Sequence, residues 1–84
     1  MSKHHDIKTW PEYFEQVIAG NKPWEYRKND REYETGDTLT LLEYHLMEGY
    51  TGRKAYATIG YLLHCDDAYV VFTLEDIREG EREI

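Results

Sequence analysis

One cysteine stands among the 84 residues of this chain. Cys65 can form no disulfide within the chain, so a disulfide scaffold is excluded. Asp66 and Asp67 follow it, and no base flanks it to mark a reactive thiol; it reads as a small, half-buried residue at a strand end. Long apolar runs are missing too. Nothing approaches the ~20 residues of a membrane-spanning helix, and residues 1–6 contain no apolar signal core. A cytoplasmic protein without a membrane partner is expected. Bases are in deficit: ten Lys and Arg face seventeen Asp and Glu, for a net charge of −7. That balance excludes a duplex-DNA binder, which needs a broad basic face. Aliphatics are sparse, and a mean hydropathy of −0.80 would by itself lean toward disorder.

Aromatic residues reverse that reading. Eight Tyr, two Trp and two Phe make up 14% of the chain, and aromatic rings bury more area per residue than any other side chain. The length allows one ordered domain and no more. Its core is expected over residues 5–74, followed by an acidic tail, 75–84, with five acids against two bases; a solvated or frayed end is expected there. His4, His5, His45, His64 and Cys65 match no zinc spacing. No metal and no cofactor are expected, and the domain is read as a monomer.

Periodicity divides the chain into one helix and five strands. Ile7 to Trp10 alternates as a short strand. Pro11 then opens a helix of about nine residues, with Glu12 and Glu15 near its positive end. Trp10, Phe14, Val17 and Ile18 recur on one helical face, and Gly20-Asn21 stops the helix, with Pro23 beyond. Trp24 to Arg27 reads as a strand whose two aromatics face the core and whose Glu25 and Arg27 share the other side. Asn29-Asp30 caps or turns the chain through side-chain bonds, and 35–37 is a turn. Thr38 to Tyr44 is a strand. Residues 48–52 form a loop, in which Thr51-Gly52-Arg53 is either a hairpin turn or a place where a phosphate approaches the backbone. Arg53 to His64 is a long strand with Ala55, Ala57, Ile59, Tyr61 and Leu63 on one face. Residues 65–68 turn into a last strand, Tyr69 to Leu74, rich in β-branched and aromatic residues.

The charge is uneven along the chain. Six of the ten bases lie in residues 20–54, and Arg27-Lys28-Asn29-Asp30-Arg31 carries +2 locally. Exposed charges separated by more than about 8 Å are largely screened at physiological salt. A small basic pocket is therefore compatible with a net −7.

Residues 20–27, Gly-Asn-Lys-Pro-Trp-Glu-Tyr-Arg, have the form Gly-x-Lys-x-x-Glu-x-Arg directly after a helix. This resembles the signature of ASCH domains, in the PUA-like superfamily. Residues 5–8, Pro11 and Phe14, residues 27–31, Gly36-Asp37, Glu43-Tyr44 and residues 50–53 extend the likeness to a small bacterial and phage branch. The resemblance implies an α+β fold: a small PUA-like β-barrel of about five strands, with one early α-helix near a mouth. It also implies a cleft between helix and barrel, lined by that octet. ASCH and PUA relatives are associated with RNA binding and RNA modification. One ASCH branch hydrolyses an acetylated cytidine with a Lys, a Thr and a later Glu. Lys22 matches the Lys, but Glu25 stands where the Thr would be, so that activity is not carried over.

Together these readings point to a module for single-stranded RNA or a nucleotide. Arg forks onto phosphate or a base edge, Glu accepts from an exocyclic amine, and an exposed ring stacks on a base. Lys22, Glu25, Arg27, Lys28, Arg31, Tyr50 and Arg53 are the expected ligand-binding residues. Two alternatives remain open. One is a nucleoside-directed hydrolase with Lys22 as activated amine and Glu25 as acid/base. The other is a protein-interaction module that uses the acidic surface and tail. A Glu25–Arg27 salt bridge and a local His5–Asp6 bond are the structural roles these residues would otherwise fill.

Overall fold

Trp10 precedes a proline whose fixed φ suits the first helical position, and helix α1 runs Pro11–Ile18 behind strand β1, His4–Thr9. Phe14 and Val17 are the buried residues of α1, as its apolar spacing requires. Gly20, at φ +83°, ends it in the left-handed conformation that glycine adopts at least cost. The computed structural model describes residues 2–81. After α1 come β2 (Trp24–Lys28), β3 (Thr38–His45), β4 (Gly49–His64) and β5 (Tyr69–Glu79).

The strands form one sheet in the order β1-β3-β4-β5-β2. β1 runs parallel to β3, and the other neighbours are antiparallel. The sheet curls into a half-barrel over α1, with Phe14 and Val17 meeting Ile7, Leu39, Leu41, Ile59, Val70 and Phe72 in one buried cluster. β1 and β2 are left as the two edges, so the expected barrel is present as an open curl, not as a ring of paired strands.

Several expectations need correction. Trp24 and Tyr26 do not face the core: they are 44% and 56% exposed, whereas Glu25 is buried. The edge strand turns its carboxylate inward because Lys22 and Arg27 meet the charge there, and Tyr26 stacks on Tyr69 outside, with centroids 5.2 Å apart. Nor does β4 keep one face throughout. Ala55, Ala57 and Ile59 are buried, but Tyr61 and Leu63 are exposed, because the pairing with β5 shifts register between Ile59 and Leu62. Gly60 lies in that shift, where a Cβ would run into Thr73 and Glu75. Leu62 takes the inward role and packs on the core.

The tail is the largest correction. Residues 75–79 continue β5, with Thr58 opposite Glu75 and Ala55 opposite Glu79, and Ile77 packs against the core. A strand of two-sided polarity escapes a reading based on apolar alternation. Residues 82–84 of the expected tail lie outside the described residues. Thr51-Gly52-Arg53 belongs to β4; the turn of that hairpin falls at 46–48. Cys65 is exposed, not half-buried, since it sits where β4 has already left the core. Asn29 does order its loop, accepting a bond from the Tyr33 N–H at 2.9 Å.

Candidate functional site

The open seam between β1 and β2 is a cleft of about 460 Å³. Its walls are the end of β1 (Lys8, Thr9), the entry to α1 (Trp10, Tyr13), the loop residue Lys22, and β2 from Glu25 to Lys28. β1 spends one edge on β3, so the carbonyls of Asp6 and Lys8, two residues apart, project from its free edge. Guanidinium groups take both: Arg27 Nη2 donates to Lys8 O at 2.6 Å and Arg31 Nη1 donates to Asp6 O at 2.5 Å. Side chains thus bridge the seam where backbone pairing does not.

Glu25 organises the cleft. It is 4% exposed and accepts from Lys22 Nζ at 3.3 Å on Oε1 and from Arg27 Nε at 2.9 Å on Oε2. A buried carboxylate needs such partners, since an unpaired one is costly to desolvate. Lys22 Nζ also donates to Trp24 O at 2.8 Å, and lies 5.7 Å from the Tyr13 ring centroid and 5.8 Å from that of Trp24. Four cations (Lys8, Lys22, Arg27, Lys28), one acid and three aromatic rings therefore share one cleft. From its rim an aromatic strip leads outward. Trp10 is 6.1 Å from Tyr44, which is 5.0 Å from Tyr50. Lys8 Nζ sits over the Tyr44 ring at 4.5 Å, within the range of a cation–π attraction.

Of the expected site residues, Lys22, Glu25, Arg27 and Lys28 come together in this cleft. Arg31 lies behind it, tied to β1. Tyr50 does not line the cleft: it touches Tyr44 at the far end of that strip and lines a separate hollow. Arg53 does not reach the cleft either. It sits in that separate hollow, bonded to Glu15, 3.7 Å from Glu43 and 3.3 Å from Glu79, over the Phe14 ring at 4.9 Å. The Glu15 bond, against the opposing effect of burial, raises its pKa above the usual arginine value. Three carboxylates hold Arg53 as a structural hub between α1, β3 and β5, which leaves it poorly placed for a ligand. Sequence reasoning missed Lys8, Thr9, Trp10, Tyr13 and Tyr44 as neighbours of the octet. Only the topology, which lays β1 across the seam from β2, brings them there.

His5 does not bond Asp6. Its Nε2 donates to Asp37 Oδ2 at 2.8 Å, with the two side chains 7% and 1% exposed, and its ring meets Tyr33 edge-on at 4.7 Å. His4 takes the Asp6 contact instead. Burial pushes the Tyr33 phenol above its usual pKa, against the opposing pull of Arg31 and Arg27. No helix among the described residues is long and apolar enough to cross a membrane. No group of three or more His, Cys, Asp or Glu among them is placed to hold a metal ion.

Fold and site together define a small half-barrel domain with an aromatic, cation-lined cleft at its unclosed seam. Residues 4–74 match the family model described as "Domain of unknown function (DUF3850)", and the chain belongs to that family. It is also similar to the "Uncharacterized 12.9 kDa protein in GpA 3'region" of Escherichia phage P2, 48% identical over 60 residues. That alignment covers 70% of this chain and 53% of the phage protein, so the chain spans about half the length of that relative.

Proposed function

We propose that the seam cleft binds single-stranded RNA or a nucleotide, and that the domain is an ASCH-type member of the PUA-like superfamily working in the cytoplasm. The observation that carries this reading is the composition of the cleft: four cations against one acid, which two of them already pair, beside three rings, in a chain of net charge −7. Arg27 and Lys28 offer donors to phosphate, and Trp10, Tyr13 and Tyr26 offer faces for bases, worth about 1–3 kcal/mol each when stacked. The hydrolase reading has less support, because Lys22, the expected activated amine, is itself ion-paired to Glu25. The reading of the tail as a free contact surface has less still, because residues 75–79 are committed to the sheet.

Titration of nucleoside monophosphates and short single-stranded RNAs at low salt, followed through the backbone amide signals, tests the proposal. Shifts are expected at residues 8–13 and 22–28, with a shallow salt dependence, since few phosphates are contacted. Amide signals that stay still in both segments refute it.

A further inference from the structure

Thr9 ends β1 with its side chain turned to the buried side of the strand. It is 3% exposed and lines the cleft with Lys22, Glu25 and Arg27. Among the described residues its Oγ1 is the one buried side-chain polar atom with no hydrogen-bond partner. Such an orphan is unfavourable, and an apolar side chain of the same shape would serve the fold as well or better. The neighbouring cations do not relieve it: Lys22 donates to Trp24 O and Glu25, and Arg27 to Glu25 and Lys8 O, neither of them to Thr9. A hydroxyl can donate or accept, whereas an ionised carboxylate only accepts. The two together suit an edge that presents a donor beside an acceptor, which nucleobases carry and phosphate does not.

Resting on the nucleotide-binding reading, we propose that Thr9 is a specificity-determining residue at the floor of the cleft. Its hydroxyl donates to an acceptor on the edge of a nucleobase, and Glu25 accepts from the neighbouring N–H of that edge. The base reaches the covered hydroxyl by displacing the flexible stem of Lys22 or Arg27, and the phosphate stays with the outer cations.

The test compares the wild-type protein with Thr9→Val and Thr9→Ser. Each is melted without ligand and titrated calorimetrically with AMP, CMP, GMP, UMP and ribose 5-phosphate. Wild type is expected to bind at least one nucleotide, and T9V to bind it roughly five- to a hundredfold more weakly, the loss seen when a buried group is left without its partner. T9S is expected to recover most of that loss. Ribose 5-phosphate is expected to treat all three proteins alike, and free T9V to melt no lower than wild type. Equal nucleotide affinity in T9V overturns the role of Thr9 while leaving the cleft reading intact. Free T9V melting several degrees lower overturns it as well, because the hydroxyl then has a partner within the fold, such as a resident water. A wild-type protein that binds none of the nucleotides and no short RNA overturns the cleft reading and this inference with it.

Discussion

Replacing Asp37 with Asn probes the most deeply buried carboxylate among the described residues. Asp37 is 1% exposed, yet its carboxylate accepts from the Lys3 N–H at 3.0 Å, the Glu34 N–H at 3.1 Å and His5 Nε2 at 2.8 Å. Burial alone raises its pKa, but the bonds from Lys3, His5 and Glu34 outweigh it, and the carboxyl titrates below its usual value of 3.8. Asn keeps one acceptor oxygen and turns an NH₂ toward groups that donate. About two charge-assisted bonds are lost, at roughly 1.5–3 kcal/mol each, so a net loss of about 3 kcal/mol is expected. In a domain of this size each kcal/mol moves the melting temperature by roughly 4–8 °C, which puts D37N about 12–24 °C below wild type at neutral pH. The pH dependence gives a second check. A carboxyl with a depressed folded-state pKa contributes fully above the unfolded value of about 4, and its contribution fades as pH falls through the folded value. The gap between wild type and D37N, followed by circular dichroism in thermal and urea unfolding, is therefore expected to narrow below about pH 4. A D37N protein within about 0.5 kcal/mol of wild type at neutral pH, or a gap that widens on acidification, would refute the reasoning.

Two further outcomes follow from the packing. Arg53→Met removes the cation shared by Glu15, Glu43 and Glu79 and leaves buried Glu43 with the Thr51 hydroxyl; urea denaturation is expected to show a loss of about 2 kcal/mol, and nucleotide titration no change. Truncation after Leu74 removes the segment that pairs with Ala55, Tyr56 and Thr58, so the shortened chain is expected to lose its cooperative thermal transition; one that melts like the full chain would show that β5 can end there.

Local chemistry made much of the fold legible. Proline at the start of α1, glycine at its end, and apolar residues at helical spacing between them are signals that any neighbouring structure must respect. Tyr69 to Leu74 alternates because one face of it is covered, and Leu39 and Leu41 mark the core-facing side of β3. Legibility failed where tertiary partners decide. Glu25 faces inward because Lys22 and Arg27 neutralise it, and a pattern of apolar and polar letters cannot carry that. Tyr61 and Leu63 change sides through a register shift at Gly60 that alternation alone does not announce. The strand from Glu75 to Glu79 has too few apolar residues to mark itself. At the site, Lys22, Glu25 and Arg27 were legible because they are close in sequence and follow a helix end. Thr9 and Lys8 were not, because β1 is laid beside the cleft only through its parallel pairing with β3.

The guanidinium bridges across the seam have a consequence for solution behaviour. A curl that stops short of closure exposes two strand edges, and bare edges invite pairing with the edge of another molecule, the first step toward aggregation. Here the two edges face each other, and Arg27 and Arg31 occupy the Lys8 and Asp6 carbonyls that an incoming strand would need. The side chains that shape the mouth of the cleft also shield the molecule against edge-to-edge association, so the domain keeps an opening without offering a template.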